Sequence, residues 1–227
     1  MGWEHVLFAN WPVEPEIVES HLPEGLTADT YDGQAWLSVV PFTNVDVRPT
    51  FLPDGLGLPL PELNLRTYVE REGESTPGNA VYFFSLDADG VLGVSGARLF
   101  HHLPYFYADI DMRVDGSAVA FDSRRRHPGA RPAPFSARYE PTGEQFSAES
   151  GSLESFLTDR DRYVTETPGG ELRYATVRHE KWPLYEANVE IRRNGLFTAN
   201  GFAHPETEPV HLYSPRVTTI ASESQRL

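Results

Sequence analysis

The chain has 227 residues, no cysteine, and a formal net charge of −14 from 33 acidic and 19 basic residues. That length fits a single domain with a substantial core, and the missing cysteines exclude disulfides, thiolate metal sites and a cysteine nucleophile. So acidic a surface repels nucleic acid, and no apolar run approaches the roughly 20 residues that a membrane-spanning helix needs.

Lys181 is the only lysine; every other basic residue is arginine. Strong acidity with almost no lysine suits a salt-rich cytoplasm, where screening shortens the reach of like-charge repulsion. An arginine-favouring codon bias in an ordinary acidic protein gives the same composition. The N-terminus, MGWEHVLFAN, lacks a basic leader followed by an apolar run, which predicts no signal peptide and a cytoplasmic protein.

In chain order, residues 3–11 read as a strand ending at Trp11-Pro12, since proline cannot donate to a ladder. Residues 15–21 suit a short helix with proline in its first turn and Ile17, Val18 and Leu22 inward. Tyr31-Asp32-Gly33 reads as a hairpin turn into a strand over 34–40. Residues 46–61, rich in proline and glycine, predict a long surface loop. Strands are expected at 63–70, 80–87 and 91–100, then at 108–114 and 117–123 about the turn Asp115-Gly116. The basic, proline-rich stretch 124–134 reads as a solvated connector. A second helix is expected at 152–162, capped by Ser152 and burying Leu153, Phe156 and Leu157. A strand at 172–178, a hairpin around Arg193-Asn194-Gly195 and a disordered tail at 221–227 complete the reading, with residues 1–220 as one domain. Many strands, frequent turns and few helices predict a mainly β (α+β) fold that is mostly antiparallel.

Two strands carry candidate chemistry. In the strand over 91–100, Leu92, Val94, Gly96, Arg98 and Phe100 share one face, so Arg98 closes an otherwise apolar row. A buried guanidinium costs several kcal/mol unless paired, so Arg98 calls for an anionic partner. In ELNLRTYVE, Leu63, Leu65, Thr67 and Val69 face one way, and Glu62, Asn64, Arg66, Tyr68 and Glu70 face the other. That polar face fits either solvent or an enclosed wet cavity in which Arg66 or Arg98 holds a carboxylate bidentately.

The histidines lack the spacing of familiar metal sites. His101 and His102 point to opposite faces of an extended chain, and His179, His204 and His211 stand apart. No metal or cofactor is expected. By residue type, one of His101, His102 or His179 is a further acid–base candidate near neutral pH.

Six segments, taken together and in order, resemble the YqjF-like family, an uncharacterised group within the acetoacetate-decarboxylase-like superfamily. They are LPEGLTADTYDGQAWLSVVPF at 22–42, ELNLRTYV at 62–69, VYFFSLDA at 81–88, ARLFHHLPYFYA at 97–108, GSLESFLTDR at 151–160 and HEKWPLYEA at 179–187. The resemblance implies a curved, cone-like antiparallel sheet that encloses a small pocket. The decarboxylases of that superfamily form a Schiff base through a lysine of depressed pKa. Here Arg98 and Pro104 keep the spacing of the reactive segment, but Tyr105 and Phe106 fill the lysine positions. The family's first carboxylate corresponds to Glu62, its second acidic position to Trp36, and its N-terminal arginine has no counterpart before Arg48. Lys181 lies where the family pattern asks for no lysine.

These readings predict a pocket for a small-molecule carboxylate, with Glu62 and Tyr105 as the catalytic candidates. Asn64, Arg66, Tyr68, Arg98 and His102 are the substrate-binding candidates. The chemistry expected is lysine-independent acid–base catalysis; the competing expectation is a non-catalytic ligand-binding or regulatory protein on the same scaffold. Neither nucleic acid nor membrane is an expected partner, and a homo-oligomer is compatible with the sequence.

Overall fold

A computed structural model describes residues 2–47, 58–71, 73, 80–89 and 102–227. Among them, thirteen strands form one large curved sheet in the order β13-β10-β9-β5-β6-β7-β8-β11-β12-β1-β3-β4-β2. The strands are β1 (Gly2–Val13), β2 (Leu26–Ala28), β3 (Ala35–Val47), β4 (Leu58–Arg71), β5 (Ala80–Ala88), β6 (Tyr105–Asp115), β7 (Ala118–Arg125), β8 (Phe135–Phe146), β9 (Arg162–Glu166), β10 (Leu172–His179), β11 (Leu184–Asn194), β12 (Val210–Ala221) and β13 (Gln225–Arg226). The helices are α1 (Pro15–Glu19), α2 (Leu153–Thr158) and α3 (Leu196–Ala199).

Two further pairings, β4–β5 and β10–β12, close the sheet on itself twice. One circuit runs β5-β6-β7-β8-β11-β12-β1-β3-β4, and the other β5-β9-β10-β12-β1-β3-β4. Strands β12, β1, β3, β4 and β5 belong to both. Alternation along a strand then sends successive side chains into different interiors. The odd-numbered Leu7, Ala9, Leu37, Val39, Leu63 and Leu65 enter the large core with Val119, Phe121, Phe135 and Tyr139. The even-numbered Val6, Phe8, Val40, Phe42, Glu62, Asn64 and Arg66 face a cavity on the other side.

The circuits part at β5. Its edge pairs in parallel with β9 over Ala80–Tyr82 and with β6 over Leu86–Ala88. These two parallel pairings interrupt the antiparallel pattern that the sequence predicts. Thr165 Oγ1 ties the two leaves together by donating to the His102 carbonyl at 2.8 Å.

Several local expectations change. Strand β1 continues through Pro12 to Val13, and β4 begins at Leu58, inside the expected loop. Pro59 and Pro61 precede Glu62↔Ala88, where pairing with β5 begins, and Pro61 O still accepts from the Asp89 N–H at 3.2 Å, a bond that needs no donor from proline. Helix α1 buries Val18 but leaves Ile17 44% exposed. Strands β8 and β9 were not expected. Asn194-Gly195 does not turn a hairpin: β11 ends there and Gly195 precedes α3. The expected tail is instead seated on the sheet, with Arg173↔Arg226 and Tyr174↔Gln225 paired. Residues 48–57 of the expected loop, the strand over 91–100 with Arg98, and His101 lie outside the described residues.

Candidate functional site

The cavity holds about 200 Å³, several times the roughly 30 Å³ share of one water molecule in the liquid. Its floor is the even face of β4, its walls are aromatic and aliphatic side chains that include Phe8, Phe42, Phe83, Tyr163 and Trp182, and α2 closes one end. Glu62 and Asn64 are only 4% and 3% exposed. At Glu62, Asn64 and Tyr68 the polar face of ELNLRTYV is therefore enclosed, while Arg66 on the same face is half-buried.

Glu62 Oε2 accepts from Tyr105 Oη at 2.9 Å and from Asn44 Nδ2 at 3.2 Å. Burial nevertheless raises the Glu62 pKa from 4.5 to about 7, against hydrogen bonds from Tyr105, Asn44 and Asn64 that favour the anion. The Asp87 charge adds a smaller push in the same direction. Burial, then the Glu62 charge and its hydrogen bond, hold the Tyr105 phenol well above its ordinary pKa, so Tyr105 remains a donor to Glu62. A carboxyl that titrates near neutrality exchanges protons readily under cellular conditions.

Asp87 is paired with Leu63, on the opposite face of the sheet from Glu62. It accepts from Arg125 Nε at 2.7 Å, and both side chains are buried. Burial raises Asp87 to about 6, with Arg125 acting against that shift. The Arg125 guanidinium stacks 4.0 Å from the Phe106 ring centroid. Tyr105 and Phe106 thus point to opposite faces, and of the two only Tyr105 reaches the cavity.

Arg66 lies two residues beyond Asn64 on the same face of β4. Its Nη2 donates to the Leu157 carbonyl at 3.1 Å, and its Nε has no hydrogen-bond partner among the described residues. None of the ion pairs among those residues includes Arg66. Arg160, also on the wall, pairs instead with Asp29 at 2.5 Å. Arg162 lines the cavity with 55% of its side chain exposed, which puts it at the mouth.

The last carbonyls of a helix have no partner inside it, and those of α2 are met by side chains around the cavity. Phe156 O accepts from Arg160 Nε at 2.6 Å, Leu157 O from Arg66 Nη2 and Tyr68 Oη, and Thr158 O from Trp182 Nε1 at 2.8 Å. Ser152 caps the other end, accepting from the Ser155 N–H.

Of the residues singled out in the sequence, Glu62, Asn64, Arg66 and Tyr105 meet in the cavity. Tyr68 does not line it. Fully buried, Tyr68 donates to Leu157 O at 2.9 Å and lies 2.8 Å from Ser38 Oγ, so it anchors α2. Nor does His102 line it: its φ of +54° and its carbonyl bond to Thr165 make it a strut between β6 and β9. Lys181 is exposed beside Glu180 and Arg216 on a separate depression. Among the described residues no group of His, Cys, Asp and Glu has a metal-binding arrangement, and no helix is long and apolar enough to cross a membrane.

The sequence reading missed Asn44, Arg160, Arg162, Trp182 and the Asp87–Arg125 pair. Asn44 had a signal: it continues the even face Val40, Phe42, Asn44 of β3, where a lone amide ends an apolar row. Arg160, Arg162 and Trp182 come from segments distant in sequence, and no periodicity connects them to β4.

Comparisons with known proteins agree with this architecture. The model of the family DUF2071, described as an uncharacterized conserved protein, matches residues 1–218. The uncharacterized protein YqjF of Bacillus subtilis (strain 168) is 44% identical over 215 residues, covering 94% of this chain and 86% of that protein. Among solved structures, the enduracididine biosynthesis enzyme MppR, complexed with a condensation product of pyruvate and imidazole 4-carboxaldehyde, superposes with a TM-score of 0.65 at 14% identity, over 99% of this chain and 87% of that one. An acetoacetate decarboxylase-like enzyme from Sphingomonas wittichii RW1 gives 0.63 at 17% identity, covering 100% and 92% of the two chains. Acetoacetate decarboxylase from Legionella pneumophila gives 0.60 at 11% identity, covering 100% and 87%. At these identities the structural likeness carries the fold alone. By the family match along nearly its whole length, and by its identity to the Bacillus protein, the chain belongs to the uncharacterised DUF2071 (YqjF-like) family on an acetoacetate-decarboxylase-like fold.

Proposed function

We propose that this protein binds a small organic acid with an apolar body in the cavity, holds its carboxylate on Arg66, and moves a proton to or from it through Glu62. The observation that carries the reading is a half-buried arginine that lines the cavity with no ion pair among the described residues, on the same strand face as a buried carboxyl that titrates near neutrality. An arginine in a low-dielectric wall favours an anion, and the planar guanidinium matches a carboxylate in geometry as well as charge. The carboxylate form of Glu62 takes a proton from the carbon next to the bound carboxylate, the C–H electron pair moves into that carboxylate as an enediolate held by Arg66, and the carboxylic acid form of Glu62 returns the proton to the carbon. Tyr105 and Asn44 hold the group in place throughout. No imine takes part: the one lysine, Lys181, is exposed and away from the cavity. A neighbour in fold, MppR, has been crystallised with pyruvate, itself a small carboxylate.

The test is a calorimetric screen of small monocarboxylates against their amide analogues at constant ionic strength. At least one carboxylate is expected to bind about tenfold more tightly than its amide, and Arg66→Lys should weaken it although charge is kept. Glu62→Gln should still bind that acid but lose wild-type exchange of its carbon-bound protons in deuterium oxide. Equal binding of acids and amides contradicts the carboxylate assignment. Exchange that persists in Glu62→Gln, or is absent from the wild type, contradicts the proton-transfer role.

A further inference from the structure

We infer that the acid taken by this cavity is an arylacetic acid, a single aromatic ring one carbon from the carboxylate, and that Trp3 is the residue that selects the ring. The inference rests on the proton-transfer reading above and names the substrate class of the same site. It starts from an irregularity in β1. Glu4 to Ala9 is five steps along β1, whereas their partners Thr43 and Val39 are four steps apart along β3. The extra residue makes a β-bulge, and His5 within it has a φ of +52°, a left-handed conformation uncommon outside glycine. Tyr139 Oη holds it by donating to the His5 carbonyl at 2.9 Å, and His5 Nδ1 lies 2.9 Å from Tyr213 Oη. Strict alternation would put Trp3 on the face of Leu7 and Ala9, towards the large core. The bulge instead brings it to the face of Val6 and Phe8, where it pairs with Asn44 and lines the cavity.

Trp3 completes an aromatic end to the cavity. Its ring stacks on Trp182 at 5.8 Å and meets Phe42 edge-on at 5.7 Å, and Phe8 meets Trp182 edge-on at 5.0 Å. Trp3 is half-buried and the other three are buried. Across β4, on β5 and β9, Phe83 and Tyr163 form a second aromatic pair. A ring in such surroundings gains from edge and offset contacts beyond what a saturated group of the same area gains. The volume agrees: an apolar cavity of about 150 Å³ holds one benzene molecule, so 200 Å³ takes a ring and a short acid arm. The Trp3 indole N–H donates to Asn44 Oδ1 at 2.9 Å, and Asn44 Nδ2 donates to Glu62 Oε2 at 3.2 Å. One amide therefore separates the ring site from the carboxyl that moves the proton, and the chemistry calls for that proximity. When the C–H bond beside a carboxylate breaks, the proton passes to Glu62 and the electron pair must spread. A carboxylate that is already anionic accepts it poorly alone, and among the described residues no lysine lines the cavity to draw it into an imine. An aryl group on the same carbon shares the pair, and return of the proton restores the acid with no other reactant.

Phenylacetate, cyclohexylacetate and phenylacetamide test this, by calorimetry at constant pH and ionic strength. Wild type should bind phenylacetate at least about fivefold more tightly than cyclohexylacetate. In deuterium oxide it should exchange the protons beside the carboxylate of phenylacetate and leave those of cyclohexylacetate in place. In Trp3→Leu the binding preference should fall towards one, and Trp3→Phe, which keeps a ring, should retain part of it. Should Trp3→Leu fold poorly, the wild-type comparison and Trp3→Phe still decide. Cyclohexylacetate binding as tightly as phenylacetate, or exchanging as fast, overturns the inference, as does a preference undiminished in Trp3→Leu. Should the two acids bind equally and both outbind phenylacetamide, the ring assignment fails and the Arg66 reading stands. Should phenylacetate and phenylacetamide bind equally and both outbind cyclohexylacetate, the Arg66 reading fails and the ring site stands. Binding of none of the three overturns both.

Discussion

At the scale of single residues, Glu62 sets the behaviour of the cavity, because removing a carboxyl from water costs most when it is charged. Its pKa of about 7 against an ordinary 4.5 is also a statement about folding. Below pH 4.5 both folded and unfolded chains hold the proton, and the group is neutral to stability. Between 4.5 and 7 the unfolded chain releases its proton first, so folding stability falls as pH rises. Above 7 the full difference, about 3 kcal/mol at 1.36 kcal/mol per pKa unit, is present as a penalty. Glutamine keeps the size and accepts the same bonds from Tyr105 and Asn44 without ever ionising. Glu62→Gln should therefore match wild type near pH 5 and exceed it at pH 8. The residue pattern behind this was legible: a period of two along ELNLRTYV groups Glu62, Asn64 and Arg66. Whether that face met water or a cavity was not legible, because the answer depends on β9 and β10 closing over it from more than ninety residues away. The same closure takes Tyr68 out of the site, since α2 lies against it.

At the scale of elements, the sequence marks strands by alternation and boundaries by proline and glycine, and both signals misplace ends when tertiary pairing overrides them. Asn194-Gly195 shows why. The dipeptide reads as a hairpin turn, yet Gly195 has φ −89°, a conformation open to any residue. Its glycine answers to packing: an added Cβ would sit 2.6 Å from Pro134 Cδ and 3.1 Å from Pro134 N. A proline ring and its backbone have little room to give. Gly195→Ala is expected to destabilise by about 1–3 kcal/mol through overpacking, read as a melting temperature several degrees lower; an unchanged value would show that the β7–β8 connector moves freely away. Helix α2 gives the opposite case. Its stripe of Leu153, Phe156 and Leu157 and its Ser152 cap were legible, but its function as the plug whose carbonyls hold Arg66, Arg160 and Trp182 was not.

At the scale of the whole molecule, closure leaves few free edges among the described residues. The sheet order ends on β13 and β2, two and three residues long, and such short edges limit strand-to-strand aggregation. The remaining liability is charge. A net charge of −14 over 227 residues destabilises the compact state through self-repulsion, and exposed pairs such as Arg192–Glu190 contribute little against it. Thermal stability is expected to rise steadily from low salt to molar potassium chloride as that repulsion is screened. A melting temperature that stays flat or falls over this range would remove salt adaptation as the reason for the composition.

The central claim is that β4 presents an enclosed polar face with a carboxyl that titrates near neutrality. Unfolding of wild type and Glu62→Gln, followed at several pH values from 5 to 8 at fixed ionic strength, tests it most directly. The two proteins should unfold within about 1 kcal/mol of each other at pH 5. At pH 8 the glutamine variant should be more stable by about 3 kcal/mol, which for a chain of this length is on the order of 5–10 °C in melting temperature. A difference that does not change between pH 5 and pH 8 would mean that Glu62 ionises as it does in water and that the face is open to solvent.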